Sequence, residues 1–342
     1  MANKATIRHV AHRAGVSTAT VSYVINGTGS VAEATRARVV AAIAELRYQP
    51  RHAARSLRGA SRTMGIPLGV APGQLADPVV AEVIAGFAAA AAQRGYDVLL
   101  IPIGSGDDLA ACARAAGGAR ADGFAILDVR SDDERVAALA DAGVPYICAG
   151  GAPDGYGCPV VCCDVAGGAA QAVRHLLALG HRAIALIQAP GERLSSDACF
   201  AGYATALGTA QLPLDPALVV EAGSGEAHGY LAMQELLSAE APPTAILAGS
   251  DELAFGAMHA IRDAGLRIGG DISLVGLDDV PLAAHVDPPL TALRQPRAEL
   301  GSRLAELLDA HIRAPGTPVT PVTLDTRLMI RRSTAPPAAR LG

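Results

Sequence analysis

The chain has little of what marks membrane, exported and disulfide-bonded proteins. No apolar run reaches the roughly 18 residues that a membrane-spanning helix needs. The segment Met1 to His9 contains no apolar region, so we expect no secretory signal. Six cysteines among 342 residues are too few for a disulfide scaffold. Together these absences predict a cytoplasmic protein whose thiols are reduced.

Charged residues are also few, at 18% against 51% hydrophobic residues, which supplies a sizeable core and excludes wholesale disorder. The length favours two or three compact units. Residues 1–63 carry ten basic and two acidic residues, whereas the rest of the chain carries 18 basic and 31 acidic ones. A cationic head on an anionic body indicates a polyanion partner for the head alone, although a basic tail without a partner has the same composition.

The first 50 residues predict three short helices. In the first helix, apolar residues recur at the spacing that places them on one helical face: Ile7, Val10, Ala11 and Ala14. Gly15 ends this helix, and Ser17 can cap a second one. A third helix carries an apolar face of its own: Val39, Ile43 and Leu46. The tight turn between the first two makes a helix-turn-helix whose second helix is the recognition helix. The alternative is a small three-helix bundle with an interaction role.

Two stretches of this head resemble a known family. Ala11-His12-Arg13-Ala14-Gly15-Val16-Ser17-Thr18-Ala19-Thr20-Val21-Ser22 and the segment 35–50 are similar to the headpiece of the lactose-repressor (LacI/GalR) transcription factors. The resemblance implies a double-stranded DNA operator as partner. The outward side chains of the recognition helix are Thr18, Ala19, Ser22, Tyr23 and Asn26, and we expect them to contact DNA together with Thr6, Ser17 and Thr20.

The resemblance also implies a short hinge helix that orders on DNA after the headpiece. In the family a leucine of this helix wedges into the minor groove, and Leu57 is the matching residue. An apolar wedge between base steps kinks the duplex while neighbouring arginines hold its backbone. The expected contacts are Ala54, Arg55, Leu57 and Arg58. Without the family, Leu57 would be an ordinary linker residue that packs locally.

From Met64 onward, strand-like and helix-like segments alternate, which predicts parallel sheets with right-handed crossovers. The expected strands of a first series are 68–71, 98–103, 124–127 and 144–148. The expected strands of a second series are 160–163, 183–187, 245–248 and 272–277. Two such series indicate two Rossmann-like lobes with a cleft between them. The resemblance agrees, because the family's core is periplasmic-binding-protein-like. The predicted fold is therefore α/β, with an N-terminal helix-turn-helix headpiece and a two-lobed effector core.

These patterns divide the chain into four parts. We expect a DNA-binding headpiece at 1–50, a hinge and linker at 51–63, an effector-binding and dimerisation core at 64–335, and a tail at 336–342. The first lobe would hold about 64–162 and 296–322, and the second about 163–292 and 323–335. The tail is rich in proline and alanine and has no heptad repeat, so a homodimer is expected rather than a tetramer.

The effector site is expected beyond the carboxyl ends of the strands. Asp278 follows an apolar strand there and matches a family position that binds effector hydroxyls, which suits a carboxylate acceptor. The alternative is that Asp278 caps the helix that follows it.

Several other positions of this site depart from the family's pattern. This chain has Gly150 where the family has an aspartate, and Cys199 where the family has an arginine. It has Ser250, followed by Asp251, where the family has an Asn-Asp pair. Loss of the arginine removes a planar guanidinium group that could donate two parallel hydrogen bonds to a ligand. An aromatic pair after Asp77-Pro78 is replaced by Val79-Val80. These departures argue against a standard sugar clamp and against a common hexose.

The cysteines suggest a second hypothesis for the cleft. Five of them could surround it and sense a metal or an oxidant: Cys148, Cys158, Cys162, Cys163 and Cys199. Their spacing matches no recognised zinc pattern, and the neighbours Cys162 and Cys163 would point to opposite faces of a strand. Buried inert thiols are the favoured interpretation.

Two other classes of protein are less consistent with the sequence. An enzyme would need a nucleotide-binding or catalytic motif, but Gly104-Ser105-Gly106 lacks a third glycine at the right spacing, and Gly223-Ser224-Gly225 is not a nucleophile elbow. A solute-binding protein would carry an export signal and no cationic head. We expect neither catalysis nor a cofactor or metal.

The sequence thus predicts a ligand-responsive transcriptional regulator, with a repressor favoured. As a dimer it would bind a pseudo-palindromic operator, and a small-molecule effector in the cleft (a sugar, nucleoside or related compound) would change its DNA affinity. The alternative is a small-molecule binding protein with no regulatory role.

Overall fold

The structure is a computed structural model that describes residues 7–26, 31–46, 61–69, 77–103, 120–152, 157–188, 194–315 and 320–338. The chain separates into two compact units, Met1–Ser61 and Arg62–Gly342. Thr6 and the predicted hinge contacts Ala54, Arg55, Leu57 and Arg58 lie outside the described residues, as does the side chain of Asn26. Within the described ranges, no helix is both long and apolar enough to cross a membrane.

The first unit contains the three predicted helices, α1 (Ile7–Ala14), α2 (Thr18–Asn26) and α3 (Glu33–Glu45). Gly15 has a φ of 64°, a left-handed conformation that glycine adopts without strain, and it ends α1 as predicted. Ser17 Oγ accepts a hydrogen bond from the backbone nitrogen of Thr20 at 3.1 Å, which confirms the predicted cap of α2.

Side chains from all three helices form the core of this unit. The buried members are Val10, Ala11, Ala14, Val21, Val24, Val39 and Ala42. An ion pair between Arg13 and Glu45, with 2.6 Å between Nη2 and Oε2, joins α1 to the end of α3. Because both side chains are about half exposed, this pair contributes little next to the apolar contacts.

The second unit is built from strands and helices that alternate along the chain. Its strands are β1 (Thr63–Gly69), β2 (Asp97–Ile103), β3 (Gly123–Ile126), β4 (Tyr146–Ala149), β5 (Val160–Cys163), β6 (Ile184–Gln188), β7 (Val219–Glu221), β8 (Ala245–Ala248), β9 (Ser273–Gly276), β10 (Thr291–Arg294), β11 (Val322–Leu324) and β12 (Arg327–Met329). Its α-helices are α4 (Pro78–Gln93), α5 (Glu134–Asp141), α6 (Val165–Ala178), α7 (Leu194–Thr209), α8 (Glu226–Leu237), α9 (Asp251–Asp263) and α10 (Arg297–Arg313).

The strands form two six-stranded sheets, one in each lobe. The order in lobe 1 is β11-β5-β4-β3-β1-β2, and all of its pairs are parallel. The order in lobe 2 is β12-β10-β9-β8-β6-β7, with β12 antiparallel to β10 at the edge. This arrangement confirms the predicted two-lobed α/β core.

Helices α4 and α10 pack closely on lobe 1, and glycine allows the approach. A Cβ atom at Gly86 would lie 2.0 Å from the carbonyl oxygen of Ala298, and one at Gly301 would lie 2.0 Å from that of Val83. Both distances are far below van der Waals contact, so any larger residue would push the helices apart.

The chain crosses between the lobes three times, after β5, between β10 and α10, and between β11 and β12. Two sequence-based boundaries need correction. The strand 160–163 pairs with β4 and β11 in lobe 1, so it does not begin the second series. The expected boundary between 322 and 323 falls inside β11, and the crossing follows Leu324 instead.

Candidate nucleic-acid interface and ligand cavities

Helix α2 presents a polar face to solvent. Thr18, Ala19 and Tyr23 are exposed, and the Tyr23 side chain is 42% accessible. The opposite face buries Val21 and Val24 in the headpiece core. The packing therefore leaves the predicted base-contacting residues of α2 on one accessible surface, with Ser22 half-buried beside them.

The hydroxyls at the start of α2 contact each other. Ser17 Oγ lies 2.9 Å from Thr20 Oγ1 and also accepts from the backbone nitrogen of Thr20. Ser17 is exposed and Thr20 is half-buried. These two predicted DNA contacts thus fix the helix start, where backbone N–H groups can also face a phosphate.

Two arginines of the headpiece are not neutralised. Arg13 pairs with Glu45, and Arg36 lies 4.0 Å from Glu33. In the described part of the headpiece, Arg8 and Arg38 have no ion-pair partner. The Arg38 guanidinium lies beside Gly15, at the turn between α1 and α2. The surface around the helix-turn-helix is therefore cationic.

In the core, two neighbouring cavities lie at the carboxyl ends of the lobe 2 strands. The first, which we name the acidic cavity, has a volume of about 350 Å³. Its lining includes Asp77 from lobe 1 and, from lobe 2, Glu226, Ser250, Glu252 and Asp278. The second, which we name the serine cavity, measures about 100 Å³. Its polar lining residues are Gln188, Ser195, Ser196, Ser224, Ser250 and Gln295. Ser250 lines both, so the two cavities adjoin.

Asp278 lines the acidic cavity and also contacts the start of α9 and the first residue of α10. Its Oδ2 accepts from the backbone nitrogen of Asp251 at 2.9 Å, so it caps the start of α9. The alternative prediction of a cap for the following helix is wrong, because the short helix Pro281–Ala284 has Val280 at its N-cap and no side-chain cap. Oδ1 pairs with the buried Arg297 at 2.5 Å. This pair joins lobe 2 to the first residue of α10.

The structure places Asp251 and Gly150 outside both cavities. Asp251 is fully buried and accepts from the backbone nitrogens of Asp278 at 3.1 Å and Val280 at 2.8 Å. Burial and the neighbouring Asp278 raise the pKa of Asp251 to about 7. Gly150 lies just after β4 with a φ of 86°. The effector contact predicted for Asp251 needs correction, since its buried carboxylate braces the loop after β9. The contact predicted for Gly150 stays a prediction.

Two other predicted effector residues do line the cavities. Ser250 lines both, and its Oγ accepts from the backbone nitrogen of Leu253 at 3.2 Å. Cys199 lines the serine cavity, and burial raises the pKa of its thiol to about 12. The residue at this position is therefore neutral at physiological pH, where the family pattern has an arginine.

The sequence interpretation missed several lining residues. Gln188 ends β6, and its buried Oε1 has no hydrogen-bond partner among the described residues. Glu226 and Glu252 lie in the first turns of α8 and α9. The one local signal was a glutamine at the end of the apolar run Ile184-Ala185-Leu186-Ile187. The two glutamates come from separate segments, so no local pattern could join them.

The cysteines do not gather around the cleft. Of the five that the structure describes, Cys199 alone lines a cavity. Cys148 and Cys158 approach each other on lobe 1, with 3.1 Å between their sulfur atoms. Burial raises the pKa of Cys163 to about 11. Within the described residues, no three His, Cys, Asp or Glu side chains could hold one metal ion. Three of these thiols are buried and those of Cys158 and Cys162 are partly buried, and this placement favours inert thiols over a cysteine sensor at the cleft.

Two families of known proteins match the chain. The family described as bacterial regulatory proteins, lacI family, matches residues 6–51. The periplasmic binding protein-like domain matches residues 173–334. The first match spans α1 to α3, and the second contains most of lobe 2.

Individual relatives match along almost the whole length. The HTH-type transcriptional regulator CelR of Thermobifida fusca is 35% identical over 334 residues, which are 96% of this chain and 98% of the relative. A solved complex of CelR with cellobiose is 33% identical, with a TM-score of 0.75 over 96% of this chain and 99% of that one. The lac repressor dimer bound to operator and the anti-inducer ONPF is 30% identical, with a TM-score of 0.84 over 97% of this chain and 100% of that one.

Proposed function

Because the chain belongs to the lacI family of bacterial regulatory proteins and is thus a ligand-responsive DNA-binding transcriptional regulator, we propose how its two units divide this work. The headpiece binds operator DNA through α2, and a small molecule in the cavities of the core changes that affinity. The observation that carries the proposal is the lining of the acidic cavity by both lobes, with Asp77 on one side and Asp278 on the other.

The DNA-binding part rests on the exposed face of α2. Thr18, Ala19 and Tyr23 are exposed, and Arg38, which has no ion-pair partner among the described residues, lies beside the turn before α2. A helix of this kind reads base edges in the major groove while basic side chains contact phosphates. Thr18 and Ala19 are short, so they suit a thymine methyl or a hydroxyl contact. Leu57 as a minor-groove wedge stays a prediction.

We propose a homodimer as the active form. In the similar lac repressor complex a dimer is bound to operator. Two copies of α2 related by a two-fold axis would occupy successive major grooves of a pseudo-palindromic site. Phosphate contacts release counterions, so the affinity for DNA should fall steeply with salt. We propose repression as its regulatory effect, because a bound dimer covers its operator.

The regulatory part rests on the two-lobed cavity lining. A ligand shifts an equilibrium between two lobe arrangements only if it contacts them differently. A molecule that contacts Asp77 of lobe 1 together with Ser250 and Asp278 of lobe 2 meets that condition, because lobe movement changes the distance between its partners. We propose Asp278, Ser250 and Cys199 as effector contacts, without Asp251.

Binding-site selection with the full chain, followed by fluorescence anisotropy, tests the proposal. We expect a two-fold symmetric sequence and a steep salt dependence. Equal affinity for one half-site, or affinity independent of salt, would contradict dimeric operator binding. If ligands bind the core without changing operator affinity, the alternative of a binding protein with no regulatory role would replace the regulator. We also propose that the chain is cytoplasmic and catalyses no reaction, as expected of a transcriptional regulator.

A further inference from the structure

We propose that the effector of this protein is a hydroxylated organic ammonium, such as an amine-bearing sugar, rather than a neutral sugar. This inference rests on the proposed function, because it names the chemical class of the molecule that occupies the acidic and serine cavities. It follows from the charges of one cavity and from an unsatisfied acceptor in the other.

The acidic cavity collects four carboxylates, those of Asp77, Glu226, Glu252 and Asp278. Among the described residues, Asp278 alone has an ion-pair partner, the buried Arg297, whose charge also acts on Asp77 and partly lowers its pKa. Asp77 Oδ1 accepts from the backbone nitrogen of Val79 at 2.8 Å and caps α4. The side chains of Glu226 and Glu252, two exposed residues, make no hydrogen bond or ion pair in the described part of the chain. Three of the four carboxylates thus have no ion-pair partner.

These carboxylates also oppose one another's ionisation. Burial raises the pKa of Asp77, and the nearby Asp278 raises it further. Burial likewise raises the pKa of Glu252, with further contributions from Asp77 and Asp278. Like charges that face a shared space destabilise each other's charged forms, and a cation placed between them removes that repulsion. The cavity therefore favours a positively charged occupant.

No basic side chain lines either cavity among the described residues. The position at which the family pattern has an arginine is Cys199, which is buried and neutral. The walls of the acidic cavity offer Val79, Phe255 and Leu282 to a carbon frame. Anionic ligands, which would need a donor fork, are disfavoured by this lining.

The serine cavity supplies the second observation. Gln188 is 7% exposed, and its Oε1 has no partner within the described residues. A buried acceptor without a donor costs about 1–3 kcal/mol, so a ligand that donates to it gains that interaction. The hydroxyls of Ser195, Ser196 and Ser224 surround the same space. Ser250 lines both cavities, so a molecule held among the carboxylates lies next to the space that Gln188 lines.

A bare divalent cation fits less well than an organic one. Within the described ranges, no three acidic, His or Cys side chains lie close enough to hold one metal ion. The carboxylates are spread over a cavity of about 350 Å³, which has room for a small organic molecule.

Matched pairs of small molecules that differ in charge test the proposal by calorimetry on the full chain. The pairs are glucosamine with glucose, ethanolamine with ethylene glycol, and putrescine with 1,4-butanediol, with MgCl₂ as a separate probe. We expect glucosamine to bind at least tenfold more tightly than glucose, and putrescine, which has no hydroxyl, to bind more weakly than glucosamine. Glu226→Gln/Glu252→Gln should abolish the preference for the charged member. Glu235→Gln/Glu240→Gln, which removes the same charge from exposed positions outside the cavities, should keep it.

Three outcomes overturn the inference: equal or tighter binding of glucose, no binding of any ammonium probe at 10 mM, or binding of Mg²⁺ that excludes the ammonium probes. Operator affinity of the same protein distinguishes failure of the inference from failure of the proposed function. If glucose binds and changes operator affinity, the regulator stands and only the charge of its ligand is wrong. If no bound ligand changes operator affinity, the proposed function fails as well.

Discussion

The headpiece and the acidic cavity differ in the sign of their unpaired charges and in their shape. On the headpiece, Arg8 and Arg38 have no ion-pair partner within the described residues, and Arg38 lies beside the turn that precedes the exposed helix α2. In the cavity, Glu226 and Glu252 have none and face a concave space. A convex cationic face suits the groove of a polyanion, and a concave anionic one suits a small cation. With the proposed ammonium effector, the two regions select ligands of opposite charge.

Because the two regions differ in this way, a substitution in one region should leave ligand binding by the other unchanged. The largest effect should come from the ion pair under the cavity. Arg297→Met leaves the carboxylate of Asp278 without its buried partner, which should lower the free energy of unfolding of the core by about 3–5 kcal/mol. Urea denaturation measures this, with the half-exposed Arg303→Met as control, expected below about 1 kcal/mol. Equal losses in the two variants would mean that Asp278 does not depend on Arg297.

The next effect concerns the headpiece alone. Exchanging Thr18, Ala19 and Tyr23 for other side chains should shift operator preference by about 1–3 kcal/mol for each affected base pair. Ligand affinity of the core should not change, since these residues line neither cavity. Binding-site selection with the variant, followed by calorimetry, measures both. An unchanged preferred sequence would show that α2 does not read the bases.

A smaller effect should separate stability from binding inside the serine cavity. Gln188→Leu removes a buried acceptor that has no partner in the described structure, so it should raise the free energy of unfolding of the ligand-free protein by about 1 kcal/mol. It should also weaken ligand binding, because the acceptor is lost. Gln93→Leu, on the exposed end of α4, is the control and should change neither quantity. A destabilised Gln188→Leu protein would indicate that the amide has a structural role.

The smallest effect is a pH dependence in lobe 2, away from both regions. His181 is buried, with Nδ1 2.9 Å from Thr244 Oγ1 and Nε2 3.0 Å from Ser273 Oγ. Burial lowers its pKa from the ordinary 6.5, so around that pH the unfolded chain binds more protons than the folded one. Its contribution to stability is therefore present above about pH 6.5 and lost as the pH falls. The difference in Tm between wild type and His181→Gln should shrink from pH 8 to pH 5.5, and a constant difference would contradict this.

How far the sequence could predict each region follows from the range of the interactions. The headpiece depends on spacings of three or four residues and on the caps Gly15 and Ser17, so its helices were predictable. In β1, Gly65 and Pro67 interrupt the apolar pattern, which hid the start of the strand. The sheet membership of β5 depends on pairing with Val322–Leu324, about 160 residues away.

The cavity was less predictable for the same reason. Asp278 could be predicted because it follows an apolar strand. Its partner Arg297 and the neighbouring Asp77 come from other segments of the chain. Asp251 was predicted to contact the effector because it follows Ser250, yet its carboxylate turns toward the backbone nitrogens of the loop after β9. Only the packed fold decides which of two adjacent polar residues faces the cavity.

The most direct test is operator affinity measured by fluorescence anisotropy while glucosamine or glucose is added to the full chain. Saturating glucosamine should change the operator Kd by at least about fivefold, the lower range of allosteric coupling, while glucose at the same concentration should leave it unchanged. An operator Kd that stays constant with a ligand that calorimetry shows to be bound would contradict the coupling between the cavity and the headpiece.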